Sequence, residues 1–203
     1  MLTRTELAYR AAVSVFLDTT TGMGLAGATG VRPYLPPLLA GALARGDIGI
    51  DFDGTDWRFL ESTGFLLGVL AVGVIAYLLE RSEAGRAVEV FSGVLGIVLG
   101  ALLFAGALAD GGTDAWIGLI AGPICAFLGW QAVGGLVERA RRRLEGGAAA
   151  LMTAYADGAA LLLAGLAVFL PPVSILAIAA FVLLLVRGRE REGEKYAGLR
   201  ILR

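Results

Sequence analysis

The chain has 203 residues, of which 57% are hydrophobic, and its mean hydropathy is +0.77, which predicts an integral membrane protein forming a single polytopic domain, 1–203. The 17 basic and 18 acidic residues leave a net charge of −1, so no excess of charge suggests a nucleic-acid or an acidic partner. Histidine is absent and Cys125 is the single cysteine, so we expect no disulfide, no imidazole-based metal site, no cofactor and no catalytic residue.

The first apolar stretch, residues 10–44, is the ambiguous part of the chain. As one unbroken helix it would be about 50 Å long, more than one simple crossing needs. Gly27 and Gly30 lack side chains and Pro33 lacks a backbone donor, so the helix is expected to be interrupted around 27–33. One interpretation is a single crossing by a broken helix, and the alternative is a span followed by a re-entrant segment.

Arg32 lies within this broken stretch. An arginine at the centre of a membrane helix costs at least about 2.5 to 3.5 kcal/mol, so it normally faces the bundle interior and has a partner. Asp157 is the acidic residue in the middle of a later apolar stretch. We therefore expect an interior ion pair between Arg32 and Asp157, serving either a transport site or a static lock between two helices.

The segment DTTTG, just before the break, combines one carboxylate with three hydroxyl groups. Such oxygens suit a hard cation or a polar vestibule, although threonines in helices also bond to their own backbone. Further polar groups that either reach the same interior or serve in helix packing are Tyr34, Thr153, Tyr155 and Gln131. The predicted solute or ion pathway therefore consists of Arg32, Asp157, Asp18, Thr19, Thr20, Thr21, Tyr34 and Tyr155.

The rest of the chain is a series of apolar stretches, predicted as helices over 61–79, 87–109, 115–137, 148–170 and the shorter 171–186. With the interrupted first helix they predict an all-α membrane fold of about six transmembrane helices. Glycine pairs one turn apart occur in GFLLG, GIVLG and GLIAG, where small residues let helices approach closely. These pairs favour packing within the bundle and also offer a seam for a homo-oligomer.

The bias of Lys and Arg toward the cytoplasm orients these helices. Basic residues cluster around 139–143 and in the tail 187–203, which we expect to be cytoplasmic. The acidic loop 45–60 is then external, and Asp18 marks the cytoplasmic end of the first span. If residues 10–44 cross once, both termini are cytoplasmic, in a multi-pass protein of the inner cell membrane whose immediate partners are lipids.

Three segments, GLAGATGVRPYLPPLLAGAL, GALLFAGAL and YADGAALLLAGLAVFLPP, occur in an order and spacing that resemble the uncharacterised bacterial membrane family named domain of unknown function 4126. The similarity covers about residues 20–186. The family's Gly-Leu-Arg or Gly-Leu-Asn step before aromatic-Leu-Pro is matched by 30–36, and its late Glu-Asp pair by Ala156-Asp157. Its Asp-Lys-Ile-Pro loop is replaced at 80–83. The resemblance implies the same polar positions and names no activity.

Two classes of function follow from these features. The first is a small transporter or channel with a polar site at the broken first helix, where Arg32 favours an anionic solute or a lipid phosphate and Asp157 carries a proton. The second is a non-transporting structural or accessory membrane protein. A lipid-modifying enzyme ranks behind both, because catalysis needs converging acid, base or metal groups. We therefore predict that the chain is not an enzyme.

Overall fold

The computed structural model describes residues 3–79, 85–141 and 147–197, and within these ranges it confirms the predicted all-α class. Parts of the basic segments used above for orientation, and the loop 80–83, lie outside the described residues. A 3-10 turn at Arg58–Glu61 precedes the third helix. The helices are α1 Arg4–Val31, α2 Leu35–Ala44, α3 Thr63–Leu79, α4 Gly85–Asp110, α5 Ala115–Arg141, α6 Gly147–Phe169 and α7 Val173–Ala197.

Fewer of these helices have the length and apolar composition to cross a membrane than the sequence predicted. Among the described residues, 3 segments qualify, namely Ala87–Asp110, Ala115–Leu136 and Leu151–Phe169. Three more are apolar but shorter, namely Leu35–Ala44, Thr63–Leu79 and Val173–Gly188. The break after Val31 is one reason for the difference, because it leaves α2 with 10 residues, about 15 Å of helix.

Proline chemistry sets the break between α1 and α2. A proline disfavours helical backbone at the residue before it, and Arg32, which precedes Pro33, is extended with φ −143° and ψ 109°. Pro36 and Pro37 then stand at the start of α2, where their fixed φ suits a first helical turn and their missing N–H groups would have had no helical partner. The chain therefore ends one helix and begins another within four residues.

The two helices form a hairpin and do not continue in one direction. α1 runs antiparallel to α4, since Gly22 packs on Phe104 while Gly96 approaches the carbonyl oxygen of Thr29. α2 runs back the other way: Tyr34, at its start, packs on Gly73 of α3, and its later residue Gly41 lies against Leu66. Residues 10–44 therefore do not form one broken helix that continues in a single direction, and the fold-back of α2 on α1 is the arrangement that the re-entrant alternative requires.

Both outer ends of this hairpin lie at one end of the bundle, which we call the acidic end, where the aspartates 51, 53, 110 and 114 lie. Asp18 packs against Gly111 in the α4–α5 connection. The connection after α2 meets the same place, because the Asp51 N–H donates to Asp110 Oδ2 at 3.4 Å. Asp18 therefore lies at the end that carries the acidic loop, and its predicted location at the opposite, basic end is wrong.

The N-terminal part of α1 extends beyond the bundle from Asp18. It begins with a capping box in which the Thr3 side chain accepts from the Glu6 N–H and the Glu6 carboxylate accepts from the Thr3 N–H. Residues 4–17 are all exposed, and at 1.5 Å per residue they continue about 20 Å past the acidic end. The first helix thus starts on the side of the acidic loop.

The hairpin is the centre of the packed core. α1 contacts α4, α5, α6 and α7, whereas α2 contacts α3 and α6. Apolar side chains from both arms and from the acidic loop, including Leu25, Ala40 and Phe52, are fully buried together with Leu103 and Ala164. Because this core lies between the acidic end and the hairpin tip, the tip itself is held about halfway along the neighbouring helices.

Candidate functional site

The predicted ion pair is confirmed at the tip of the hairpin. Arg32 Nε lies 2.6 Å from Asp157 Oδ1, and Asp157 is in the middle of α6. The two side chains keep 18% and 38% of their surface accessible, respectively. The arginine is thus mostly enclosed while the carboxylate faces open space, which makes the pair reachable from one side.

That space is a groove between α2, α3 and α6, with a volume of about 660 Å³ that includes part of its open mouth. Its polar end holds the ion pair together with the hydroxyl-bearing side chains of α2, α3 and α6. Its walls are leucine, valine and glycine. The lining residues are Arg32, Tyr34, Leu35, Leu38, Leu70, Gly73, Val74, Tyr77, Thr153 and Asp157.

The backbone at the tip has few N–H groups that need a hydrogen-bond partner from another helix. The Arg32 N–H donates to the Ala28 carbonyl at 3.1 Å, and the Leu38 N–H donates to the Tyr34 carbonyl at 3.3 Å. The prolines at 33, 36 and 37 have no N–H to satisfy. Most backbone donors at this break are thus bonded or absent, so the polar character of the tip comes mainly from side chains.

The tip is anchored on the side away from the groove. Tyr34 OH and Ser92 Oγ share a hydrogen bond of 2.7 Å that joins the start of α2 to α4. Gly30 lies directly against the backbone carbonyl of Ala126 in α5, so that no side chain would fit between them. Contacts from α4 and α5 thus hold the residues on either side of Arg32, and Asp157 pairs with Arg32 from α6.

The second group of predicted pathway residues, Asp18 and the three threonines, lies apart from the tip. Thr20 precedes Arg32 by twelve residues of helix, about 18 Å along the axis. The Thr19 hydroxyl donates to the Val15 carbonyl at 2.6 Å, and the Thr20 hydroxyl donates within its own helix as well. Thr21 is buried. The structure therefore does not bring this group to Arg32, and two hydroxyls make the local backbone bond that threonines favour in helices.

Asp18 is in a different environment from Asp157. Its Oδ2 atom is enclosed without a hydrogen-bond partner among the described residues, next to Gly111, and it interacts electrostatically with Asp110. No guanidinium pairs with it in the described part of the chain. Asp18 thus shares the acidic end with other carboxylates and is separate from the site at the tip.

The two predicted tyrosines have different positions. Tyr34 lines the groove, as expected. Tyr155 is 72% exposed and does not line it. In a helix, residues two positions apart point about 200° apart, so Tyr155 faces away from Asp157, whereas Thr153 at four residues shares its face. The placement of Tyr155 in the pathway is therefore corrected in favour of Thr153.

Two features near the hairpin tip were absent from the sequence prediction, namely Tyr77 in the groove lining and the Tyr34–Ser92 hydrogen bond. Thr153, which was expected in the interior, lines the groove one helical turn before Asp157. Tyr77 and Ser92 belong to α3 and α4 and carry no local signal, since only the hairpin brings Tyr34 next to both helices. Tyr77 and Thr153 add hydroxyl groups to the lining of the groove.

A separate cluster of carboxylates lies in the acidic loop. Oxygen atoms of Asp51, Asp53 and Glu61 lie within 4.8 Å of one another, and Asp53 also pairs with Arg58 at 2.9 Å. Burial, and then a hydrogen bond with Asp53, raise the pKa of Glu61 above its usual value. These groups are partly or fully exposed, as acidic loop residues commonly are, and they do not by themselves define a metal site.

Comparison with known proteins places the chain in a family. The family described as domain of unknown function (DUF4126) matches residues 19–191. Since the match covers most of the chain, the protein belongs to this family, and the resemblance noted from its sequence motifs is confirmed. No curated protein and no solved structure matches the chain.

Proposed function

We propose that this member of the DUF4126 family is a small membrane transporter or channel whose ligand site is the tip of the re-entrant hairpin. The observation that carries the proposal is the Arg32–Asp157 pair, 2.6 Å apart, at the polar end of an accessible groove. A charge pair placed halfway along apolar helices is costly and normally marks a ligand or ion pathway. The transported species is an anion that the guanidinium attracts, and Asp157 carries a proton or opens the pair.

The membrane setting supports this function. Large apolar side chains are exposed on the outer helices, such as Leu67 and Ile75 of α3 and Leu183 of α7, as lipid-facing residues are. In our proposal α3 to α7 each cross the inner cell membrane, while α1 and α2 enter it and return. Arg187 and the basic residues near 139–143 favour a cytoplasmic location for the end of the bundle opposite the acidic end.

This arrangement changes the proposed orientation of the N-terminus. Because α1 starts on the side of the acidic loop, the N-terminus is external and the C-terminus cytoplasmic. In a Cys125→Ala background, Thr5→Cys and Asp53→Cys should both react with an impermeant maleimide from the external side. Reaction of the two positions from opposite sides of the membrane would show that the first helix crosses, and would remove the re-entrant tip from the proposal.

A hairpin that enters the membrane only halfway is suited to transport, because it does not occupy the other half of the membrane thickness. Broken segments persist at membrane depth only where protein covers them or where they line a watery space. Transporter sites near the bilayer midplane commonly use such discontinuous helices. Here the tip ends beside a groove that reaches both members of the charge pair, so a ligand in the groove contacts the pair directly.

The decisive experiment is flux through proteoliposomes. Wild type is compared with Arg32→Met combined with Asp157→Leu, which replaces the pair by apolar groups of similar size, for anions, cations and protons. We expect the double variant to fold and to lose anion flux. Tyr155→Phe, on the same helix but facing away from the groove, is the matched control and should retain it. Equal flux by the folded double variant and the wild type would defeat the site.

A structural or accessory role is the second candidate, and the hydrogen bonds within the hairpin favour it. The hydroxyls of Thr20 and Thr29 donate to their own helix, and the prolines remove donors, so the hairpin is nearly self-sufficient as a packing element. If the protein has only a structural role, the wild type itself will show no flux above that of protein-free vesicles. A lipid-modifying enzyme remains the third alternative.

A further inference from the structure

The groove at the hairpin tip has an uneven chemical character. Its polar groups are gathered where Arg32 meets Asp157, beside Thr153. The remaining wall is apolar, with Leu35 and Leu38 from α2 opposite residues of α3. A small hydrated ion gains nothing from such a wall, whereas a ligand with a charged head and a hydrocarbon chain would fill both parts.

The groove also opens sideways. α3 packs on α2, α4 and the 3-10 turn, while α6 packs on α1, α2, α5 and α7, so α2 forms the floor between α3 and α6. The α3 residues at the mouth remain accessible, with Leu70 47% and Val74 50% exposed. In a bilayer this mouth faces the acyl chains, so an amphiphile could enter without leaving the hydrocarbon layer.

We propose that the groove binds an amphiphile with a phosphate headgroup. The phosphate lies at Arg32, near the Tyr77 and Thr153 hydroxyls, and the hydrocarbon chain follows Leu35, Leu70 and Val74 to the lateral mouth. This inference rests on the proposed function, because it takes the hairpin tip as the ligand site, and it names the class of ligand.

Arginine chemistry favours phosphate as the headgroup. A guanidinium has five N–H donors arranged in a planar fork that matches phosphate or carboxylate oxygens. Arg32 contacts Asp157 through Nε, and its side chain lines the polar end of the groove, where a phosphate headgroup would meet the guanidinium. The hydroxyls lining this end can donate to the remaining phosphate oxygens.

Three probes distinguish the contribution of the headgroup from that of the hydrocarbon chain, and binding of a lipid from binding of a free anion. Purified full-length protein is titrated with dodecyl phosphate, with dodecanol and with inorganic phosphate, and binding is followed by native mass spectrometry from detergent. We expect dodecyl phosphate to bind at least about tenfold more tightly than either other probe, a difference of about 1.4 kcal/mol. Equal binding of dodecanol, or full competition by inorganic phosphate, would overturn the proposal.

Two neighbouring residues of α3 provide a matched pair of variants. Val74→Trp places an indole in the groove, whereas Ile75→Trp adds the same group at a position that is 56% exposed and outside the lining. We expect Val74→Trp to weaken dodecyl phosphate binding about tenfold, a difference of about 1.4 kcal/mol, because the indole takes the space that the hydrocarbon chain would occupy, and Ile75→Trp to leave it unchanged. Equal effects of the two variants would show that the groove is not the binding site.

The double variant Arg32→Met with Asp157→Leu tests the headgroup end. It should bind dodecyl phosphate and dodecanol with equal affinity, because the apolar wall is intact while the charge is gone. A retained preference for the phosphate would overturn the assigned headgroup position. Binding without any flux would contradict the transport function and leave the lipid site standing, whereas anion flux that is indifferent to Val74→Trp would support transport and contradict the lipid site.

Discussion

The hairpin presents two faces that differ in how closely other helices approach. On the closed face, α1 meets α4 and α5 through glycines: Gly30 touches the Ala126 backbone, and Gly100 lies against Ala26. On the open face, α2 meets α3 and α6 around the groove. Gly73 in the groove packs on Tyr34, whereas Gly68 of α3 and Gly158 of α6 lie outside the groove lining, and a methyl group added to either would meet no described atom beyond its own helical turns within 4 Å.

This contrast explains how a charge pair can be both fixed and reachable. Backbone approach on the closed face holds the end of α1 rigidly, because no side chain separates it from two neighbouring helices. The open face leaves Asp157 accessible and the groove unfilled. Glycine pairs that look alike in the sequence therefore serve different purposes: Gly96 and Gly100 close a seam within the bundle, whereas Gly64 and Gly68 do not.

The largest expected effect tests the closed face. Gly30→Leu forces a side chain against the Ala126 carbonyl, and we expect a loss of more than about 4 kcal/mol or complete misfolding, as for other severe core clashes. Gly68→Leu, the matched control on the outer side of α3, should change stability by no more than about 0.5 kcal/mol. Steric-trap unfolding in bicelles measures both. Equal destabilisation by the two variants would mean that the side of α3 that carries Gly68 is covered.

The second prediction concerns the charge pair, where the two faces meet. Arg32→Met alone or Asp157→Leu alone leaves an uncompensated charge, and breaking a buried pair typically costs about 3 to 5 kcal/mol. Because Asp157 is 38% accessible, we expect values at or below the lower end. The double replacement should recover much of the loss in the same unfolding assay. A double variant equal to the sum of the single variants would show that the two charges are not coupled.

The smallest expected effect concerns the hydrogen bond that ties the open face to α4. Tyr34→Phe removes the 2.7 Å contact with Ser92 and should cost about 1 kcal/mol, as a typical net hydrogen bond does. Ser92→Ala should cost a similar amount, and the double variant should be no less stable than the worse single one. If the stability losses of the two single variants add up in the double variant, as measured by thermal unfolding, the two hydroxyls act independently. The hydrogen bond between Tyr34 and Ser92 would then not stabilise the protein.

Part of the site could be predicted because its chemistry is visible residue by residue. An arginine in an apolar stretch requires a partner, and the chain has few acidic residues at comparable depth, so Asp157 was identifiable. The prolines likewise predicted the break. Tyr155 was assigned to the pathway without regard to helix direction, and the spacing of Thr153 and Asp157 would have corrected it.

The topology of the first segment could not be predicted in this way. The charge rule counts loops and assumes that each apolar stretch crosses, so a stretch that enters and returns changes the side of everything before it. Asp18 was placed at the wrong end for this reason, although the acidic loop and its residues were found correctly along the chain. The orientation of the N-terminus depends on the same point.

The sequence by itself determined the all-α class, the family, the position of the break and the two residues that must pair, because proline geometry and the cost of a charge among apolar residues act locally. Only the tertiary structure decided that the broken segment turns back, which glycines are covered, and where the groove opens. Those features depend on which helices meet, and the direction of α2 after Pro33 follows from its packing on α3 and α6, which no local pattern encodes.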